Sequence, residues 1–219
     1  MSVADNLASF LAKLPKGVTL LPVSKTKPAS VISEAHAVGQ LAFGENYVQE
    51  LCQKAKELPG DIRWHLIGHL QSNKVSQMVR DVPNLWMVES VDSTKLATTL
   101  NSACIKFGRR DKLNVLVEVA TSNEGTKSGI EPSEAQALAL FIMNECPALA
   151  FRGLMTVADP NRPTECFSKM AELRQAVAVD QGLGEQDLIM SMGMSGDWEE
   201  AVKYGSTEIR VGSAIFGSR

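Results

Sequence analysis

The feature that most constrains this chain is an alternation repeated eight times. Short apolar segments that read as strands fall at about 18–24, 41–44, 63–67, 85–89, 113–120, 151–155, 187–191 and 207–211. The stretches between them carry apolar residues at helical spacing. Val31, Ile32, Ala35 and Val38 share one helical face, as do Tyr47, Val48, Leu51, Cys52 and Ala55. The same holds for Leu96, Leu100, Cys104 and Phe107; for Leu138, Ala139, Ile142 and Met143; and for Phe167, Met170, Val177 and the stem of Arg174. Strands joined through helices pair in parallel, because a parallel pair needs a long crossover. Eight such units in 219 residues predict an α/β fold, a single (β/α)8 TIM-type barrel; a doubly wound open sheet is the alternative. Polar residues near the strand ends recur all round the repeat (Lys25, Asn46, His69, Glu89, Thr121, Thr156, Ser195 and Gly212), which favours the barrel. Few residues follow the eighth strand, so a full eighth helix is not expected. A helix within residues 1–15, carrying Leu7, Phe10, Leu11 and Leu14, is expected to cover that flank. Residues 1–219 then form one domain with the barrel at 18–217, and closure sets strand one beside strand eight.

Bulk properties exclude several functions. The formal net charge is −3, so no global basic field exists to gather nucleic acid or an anionic membrane. No apolar run approaches the roughly 20 residues of a membrane span, and an aspartate stands in the N-terminal segment where a signal peptide carries positive charge. Cys52, Cys104, Cys146 and Cys166 are widely spaced without a C-x-x-C pair, which reads as buried free thiols in a reducing cytoplasm. No apolar surface pattern demands a partner, so a monomer is expected.

Chemistry concentrates at the two ends of the chain. In V-S-K-T-K-P (23–28), Thr19, Leu21, Val23 and Lys25 fall on one face of the first strand, which puts Lys25 at its C-terminal rim. Barrel active sites lie at that rim, where a shielded amine can attack a carbonyl; a solvated surface lysine is the plainer reading. Lys27 is a nearby cation or a charge at a helix start. S-M-G-M-S-G (191–196) and V-G-S-A-I-F-G (211–217) follow the seventh and eighth strands, where barrels commonly hold phosphate. Glycines let N–H groups approach an anion, Ser195 and Ser213 add hydroxyls, and helix starts add positive dipole; ordinary serine-capped turns are the alternative. Asp197 and Glu200 resemble a capping box. Arg210 shares a strand face with Glu208 and Gly212, and suits either a ring nitrogen or carboxylate of a ligand or an internal ion pair. His65 and His69 are four apart, but the intervening L-I-G favours a strand and turn over a helix, and no third ligand is evident. They read as rim residues with no metal. Asn46 and the Gln71–Asn73 cluster are pocket or cap candidates.

Together V-S-K-T-K-P, F-G-E-N-Y-V-Q-E (43–50), W-H-L-I-G-H-L-Q-S-N-K (64–74), K-S-G (127–129), G-L-M-T (153–156), S-M-G-M-S-G-D-W and R-V-G-S-A-I-F-G closely resemble the pyridoxal phosphate homeostasis proteins. These are built like the isolated N-terminal domain of alanine racemase. The resemblance implies pyridoxal 5′-phosphate (PLP) held as a Schiff base on Lys25. It implies a phosphate site at Ser195, Gly196, Gly212 and Ser213, Arg210 facing the pyridine nitrogen, and Asn46 lining the pocket. Glu89 and Ser90 stand where the family commonly has a histidine–serine pair, and the segment ahead of the first strand looks short; neither departure touches the expected cofactor site. The implied role is vitamin B6 and amino-acid homeostasis, with PLP and PLP-dependent apoenzymes as partners. A weak amino-acid racemase is the runner-up, and a sugar-phosphate aldolase fits Lys25 and the turns alone. The chain has only Tyr47 and Tyr204 to serve as a second base, and an arginine at the ring nitrogen weakens carbanion stabilisation. Binding is therefore expected over turnover.

Overall fold

The computed structural model describes residues 2–122 and 128–217. Eight parallel strands alternate with helices in the order α1 (Val3–Leu11), β1 (Thr19–Pro22), α2 (Ala29–Ala37), β2 (Ala42–Glu45), α3 (Val48–Glu57), β3 (Arg63–Leu66), α4 (Ser72–Asp81) and β4 (Leu85–Val91). They continue through α5 (Thr94–Lys106), β5 (Leu113–Glu118), α6 (Ala135–Glu145), β6 (Leu149–Met155), α7 (Pro163–Gln181), β7 (Ile189–Ser191), α8 (Trp198–Lys203), β8 (Glu208–Val211) and α9 (Ser213–Phe216). All eight expected strands are present, and the open-sheet alternative falls away. The sheet runs β1-β8-β7-β6-β5-β4-β3-β2, so β1 lies against β8. A parallel bridge between Val23 and Gly44 joins β1 to β2 and nearly closes a (β/α)8 barrel.

The period of two along each strand splits the core into two layers. Outward residues such as Phe43, Trp64, Val88, Val115, Leu154 and Ile209 pack beneath the helices with Ile32, Leu51, Met78, Leu100, Ile142 and Phe167. Inward residues include Met87, Leu116 and Met155, which form a small separate cluster with Ile189. The helical faces read from the sequence are largely those buried, with limits at their edges. Val38 is exposed past the end of α2, Met143 is exposed on α6, and Tyr47 is exposed as the N-cap of α3.

Among the described residues the one helix after β8 is the four-residue α9. The flank is covered by α1, whose Leu7 and Phe10 are buried and whose Asn6 side chain donates to the Ile215 carbonyl at 3.0 Å. Phe10 meets the Trp198 ring at 5.4 Å between centroids. Leu14 is partly buried there, whereas Leu11 is exposed. A capping box between Ser2 and Asp5 fixes the start of α1. Phe10→Ala should destabilise the protein by about 3–5 kcal/mol, the usual range for a buried Phe truncation, measurable by urea unfolding. A loss below about 1 kcal/mol, the size of an ordinary surface change, would show that α1 does not hold the flank.

Candidate functional site

β1 ends at Pro22, so Lys25 stands just beyond the strand in a turn. That turn is fastened from below. The Lys54 ammonium, buried on α3, donates to the Ser24 carbonyl at 2.7 Å and to Glu45 Oε1 and Glu50 Oε1, each at 2.6 Å. Ser24 Oγ donates to Glu45 Oε1 at 2.6 Å, and the Thr26 amide donates to Glu50 Oε1 at 2.6 Å. Thr26 has φ of 63°, an uncommon conformation for a residue with a branched Cβ, and it is held there by that amide bond. Both neighbours of Lys25 are therefore clamped to α3 and β2. Desolvation raises the Glu45 pKa above the ordinary carboxylate value, against the opposing charge of Lys54.

A cavity of about 390 Å³ opens at the C-terminal mouth of the barrel. Lys25, Asn46, Ser195, Arg210, Gly212 and Ser213 all line it, together with Lys27, which donates to the Gly217 carbonyl at 3.0 Å. Six of the seven expected ligand-binding residues thus converge; Gly196 lies beside Ser195 on the exposed turn, outside the lining. The Asn46 amide oxygen is buried and meets no hydrogen-bond donor among the described residues, which leaves an acceptor for a ligand group. Gly68 packs so closely on Asn46 that any Cβ there would collide with the Asn46 backbone. The amides of Ser195 and Gly196 donate to no other described residue. Asp197 does not form the expected capping box. Its carboxylate instead accepts from the Met194 amide at 2.6 Å and closes the turn on itself, leaving α8 without a side-chain cap. Gly193, at φ of 98°, brings the turn within 2.7 Å of Ala201 measured from where a Cβ would sit.

Arg210 forms the floor. It is buried and donates to Ser191 Oγ and to the Thr156 carbonyl, each at 2.8 Å, so the internal ion-pair reading gives way to a fork on neutral acceptors. Ser191 Oγ donates in turn to Glu89 Oε2 at 2.6 Å, and Glu89 Oε1 meets His65 Nδ1 at 2.7 Å. Two sequence expectations are corrected here. Glu89 is an interior residue of β4 rather than a strand-end one, and it is one hydroxyl removed from Arg210, so that departure does reach the site's support. His65 lies inside the barrel and not on the rim, because β3 turns it inward; only His69 is exposed, 3.9 Å from Asp92. Burial opposes the charge on both His65 and Glu89. Their mutual hydrogen bond outweighs it only together with the surrounding charges, Glu208 and Glu89 acting on His65 and His65 and Arg210 on Glu89, so that the His65 pKa is raised and Glu89 is held below the ordinary value. Desolvation and then the Glu89 charge push Glu208 up to about 8.

Of the K-S-G motif, Lys127 lies outside the described residues; Ser128 donates to Glu118 Oε1 at 2.6 Å. Sequence reasoning missed Glu45, Glu50 and Lys54 as the clamp on the lysine turn. The i,i+4 pairing of Glu50 with Lys54 was the available signal. Lys54→Met should cost about 3–5 kcal/mol at neutral pH by leaving Glu45 charged and buried. The deficit should shrink as pH falls, because Glu45, already raised, takes a proton in the folded state. Urea unfolding at several pH values checks this; a deficit independent of pH would contradict it.

A family model described as alanine racemase, N-terminal domain, matches residues 1–219. The bovine (Bos taurus) pyridoxal phosphate homeostasis protein is 44% identical over 233 residues, covering 100% of this chain and 85% of its own. The protein of that name from Vibrio alginolyticus is 43% identical, covering 94% and 89%. PipY of Synechococcus elongatus, solved with PLP bound, is 35% identical with a TM-score of 0.83, covering 99% of this chain and 100% of that one. An alanine racemase from Clostridium difficile, at 14% identity and a TM-score of 0.78, shares the fold across 57% of its length. With the barrel, the lysine turn and the two glycine–serine turns in place, the chain belongs to the family of the pyridoxal phosphate homeostasis proteins, whose barrel is that of the alanine racemase N-terminal domain.

Proposed function

We propose that this chain is a PLP-binding protein of vitamin B6 and amino-acid homeostasis that holds the cofactor reversibly through Lys25, without strong catalytic activity of its own. The observation that carries this reading is the convergence of Lys25, Asn46, Arg210 and the two serine-bearing turns on one cavity at the barrel mouth. The PLP-bound relative supports it. Bound PLP supplies an aldehyde with which a lysine amine condenses reversibly, releasing water.

The chain's own residues then have distinct tasks. The clamp of Lys54, Glu45 and Glu50 fixes the backbone on both sides of Lys25, so the amine enters the cavity from one direction. Ser195 and Ser213 offer hydroxyls to a phosphate, and the amides of Ser195, Gly196, Gly212 and Ser213 can approach it where no side chain intervenes. Asn46 supplies its unused acceptor to a ring substituent. Arg210, permanently cationic and locked by Ser191 and Thr156, opposes a proton on a ring nitrogen facing it. A racemase needs a second base on the opposite face. Tyr47 is exposed at the start of α3, Tyr204 caps the end of α8, and neither lines the cavity. Residues 1–219 act as one cofactor-binding unit. Its partners are PLP and the PLP-dependent apoenzymes that receive it, and it works as a monomer. The four buried, unpaired cysteines suit the reducing cytoplasm; among the described residues no helix is long and apolar enough to cross a membrane.

Lys25→Ala should abolish the visible absorption band that PLP gives when joined to a lysine, with far-UV circular dichroism unchanged; an undiminished band would remove Lys25 from its role. The double change Ser195→Ala and Ser213→Ala should weaken PLP binding by at least about tenfold, as expected for two hydrogen bonds to an anion, while the band persists. Unchanged affinity would overturn the phosphate assignment. Amino acids incubated in heavy water with the loaded protein should exchange their α-hydrogen no faster than with free PLP. Rapid exchange would favour the racemase reading.

A further inference from the structure

We propose that His65, Glu89 and Glu208 form a binding site for one divalent cation of the zinc class, on the floor of the barrel lumen beneath the lysine cavity. The three come from β3, β4 and β8 and each offers one ligand atom, all within 4.8 Å of one another. They are 4%, 0% and 7% exposed, so all three are more than nine-tenths buried. This is a different set from the His65–His69 pair weighed from the sequence: His69 points to solvent, and its place is taken by two carboxylates that only the folded barrel brings to His65.

Inside one desolvated lumen the charges of two carboxylates must be balanced, either by protons on the imidazole and one carboxyl group or by a cation that replaces those protons. Arg210 directs its hydrogen bonds to Ser191 and Thr156. The cluster also keeps an unused ligand, since Glu208 Oε1 is buried and has no hydrogen-bond partner among the described residues. One nitrogen and two carboxylate oxygens match the mixed ligand sets of zinc sites with an open fourth position. They are too few for calcium, which takes 6–8 oxygens. Ligand atoms around a tetrahedral zinc lie about 3.4 Å apart, given metal–ligand bonds near 2.1 Å, a closure that side-chain rotation supplies. Zinc takes the place of two protons, the one shared between His65 Nδ1 and Glu89 Oε1, now 2.7 Å apart, and the one on the Glu208 carboxyl, both released to solvent.

A supporting shell and a way in are also present. Ser191 Oγ holds the other Glu89 oxygen at 2.6 Å and so fixes the carboxylate plane. From the opposite end of the barrel, a cavity of about 390 Å³ reaches the cluster. It is lined by Thr19, Arg63, His65, Trp86, Asp187 and Glu208 among others, which gives His65 and Glu208 a route to solvent that does not pass Lys25. The inference therefore stands independently of the cofactor reading.

The test is equilibrium dialysis of the full-length, PLP-loaded protein against zinc chloride, with metal counted by plasma mass spectrometry. One zinc per chain is expected. Glu208→Gln and His65→Gln should each weaken it at least about tenfold, a ligand costing no less than its supporting shell. Lys25→Ala should bind zinc as the parent does. X-ray absorption should show nitrogen and oxygen neighbours only. Uptake of no zinc would overturn the proposal, leaving a cluster that holds protons alone. Unchanged uptake in both variants, or sulfur neighbours at about 2.3 Å marking a cysteine site, would overturn it equally. Thermal melts of both variants show which of them is folded, and either one suffices for the comparison.

Discussion

Closure of the barrel at β1 is the constraint on which the rest depends. The Val23 amide donates to the Val211 carbonyl at 2.8 Å, while Val23 bridges to Gly44 on the other side. One residue thus ties the first strand to the eighth and the second. The pairing with β8 is what sets Lys25 beside the turns after β7 and β8, although Ser195 and Ser213 lie 170 and 188 positions further along the chain, and the bridge to Gly44 brings Asn46 after β2 to the same mouth. The cover over this seam is modest: α9 has four residues, and α1 completes the packing through Leu7 and Phe10.

The barrel interior is unusual in how much of it is polar. An apolar plug of Met87, Leu116, Met155 and Ile189 fills one side. Opposite it, a connected column runs from His65 through Glu89 and Ser191 to Arg210 beneath the cavity, with Glu208 close beside His65 and Glu89. Such a column is costly to bury unless nearly every member is satisfied. Its hydrogen bonds are short and strand-anchored, so it holds the Arg210 guanidinium in one orientation. A second network, from Lys54 to Glu45 and Glu50, does the same for the lysine turn. Two cations that line the cavity, Lys25 and Arg210, are thereby positioned by different polar networks.

The architecture was legible in the sequence because its signal is repetitive: eight alternations leave few folds, and the apolar periods name the buried faces. The candidate site was legible where chemistry lies in local motifs, as at Lys25, Asn46, Ser195, Arg210 and Ser213. What escaped was whatever depends on which way a strand twists a side chain. His65 looked like a rim residue but faces inward, Glu89 looked remote but supports Arg210, and Lys54, buried among three oxygens, was not singled out at all. Asp197 looked like a cap and instead closes its own turn. For His65, Glu89 and the Lys54–Glu45 pair the partner is distant in sequence, where periodicity carries no information; Asp197 and the Lys54–Glu50 pair have near partners, and there the choice between two local hydrogen-bond patterns was missed.

The central claim is that this barrel mouth holds PLP covalently and reversibly on one particular lysine among several near it. Borohydride reduction of the purified, PLP-supplied protein, followed by peptide mapping, tests that most directly. The account predicts a single pyridoxyl-modified peptide, carrying the added mass on Lys25 and not on Lys27 or Lys54. Modification spread over surface lysines, or none at all, would contradict it.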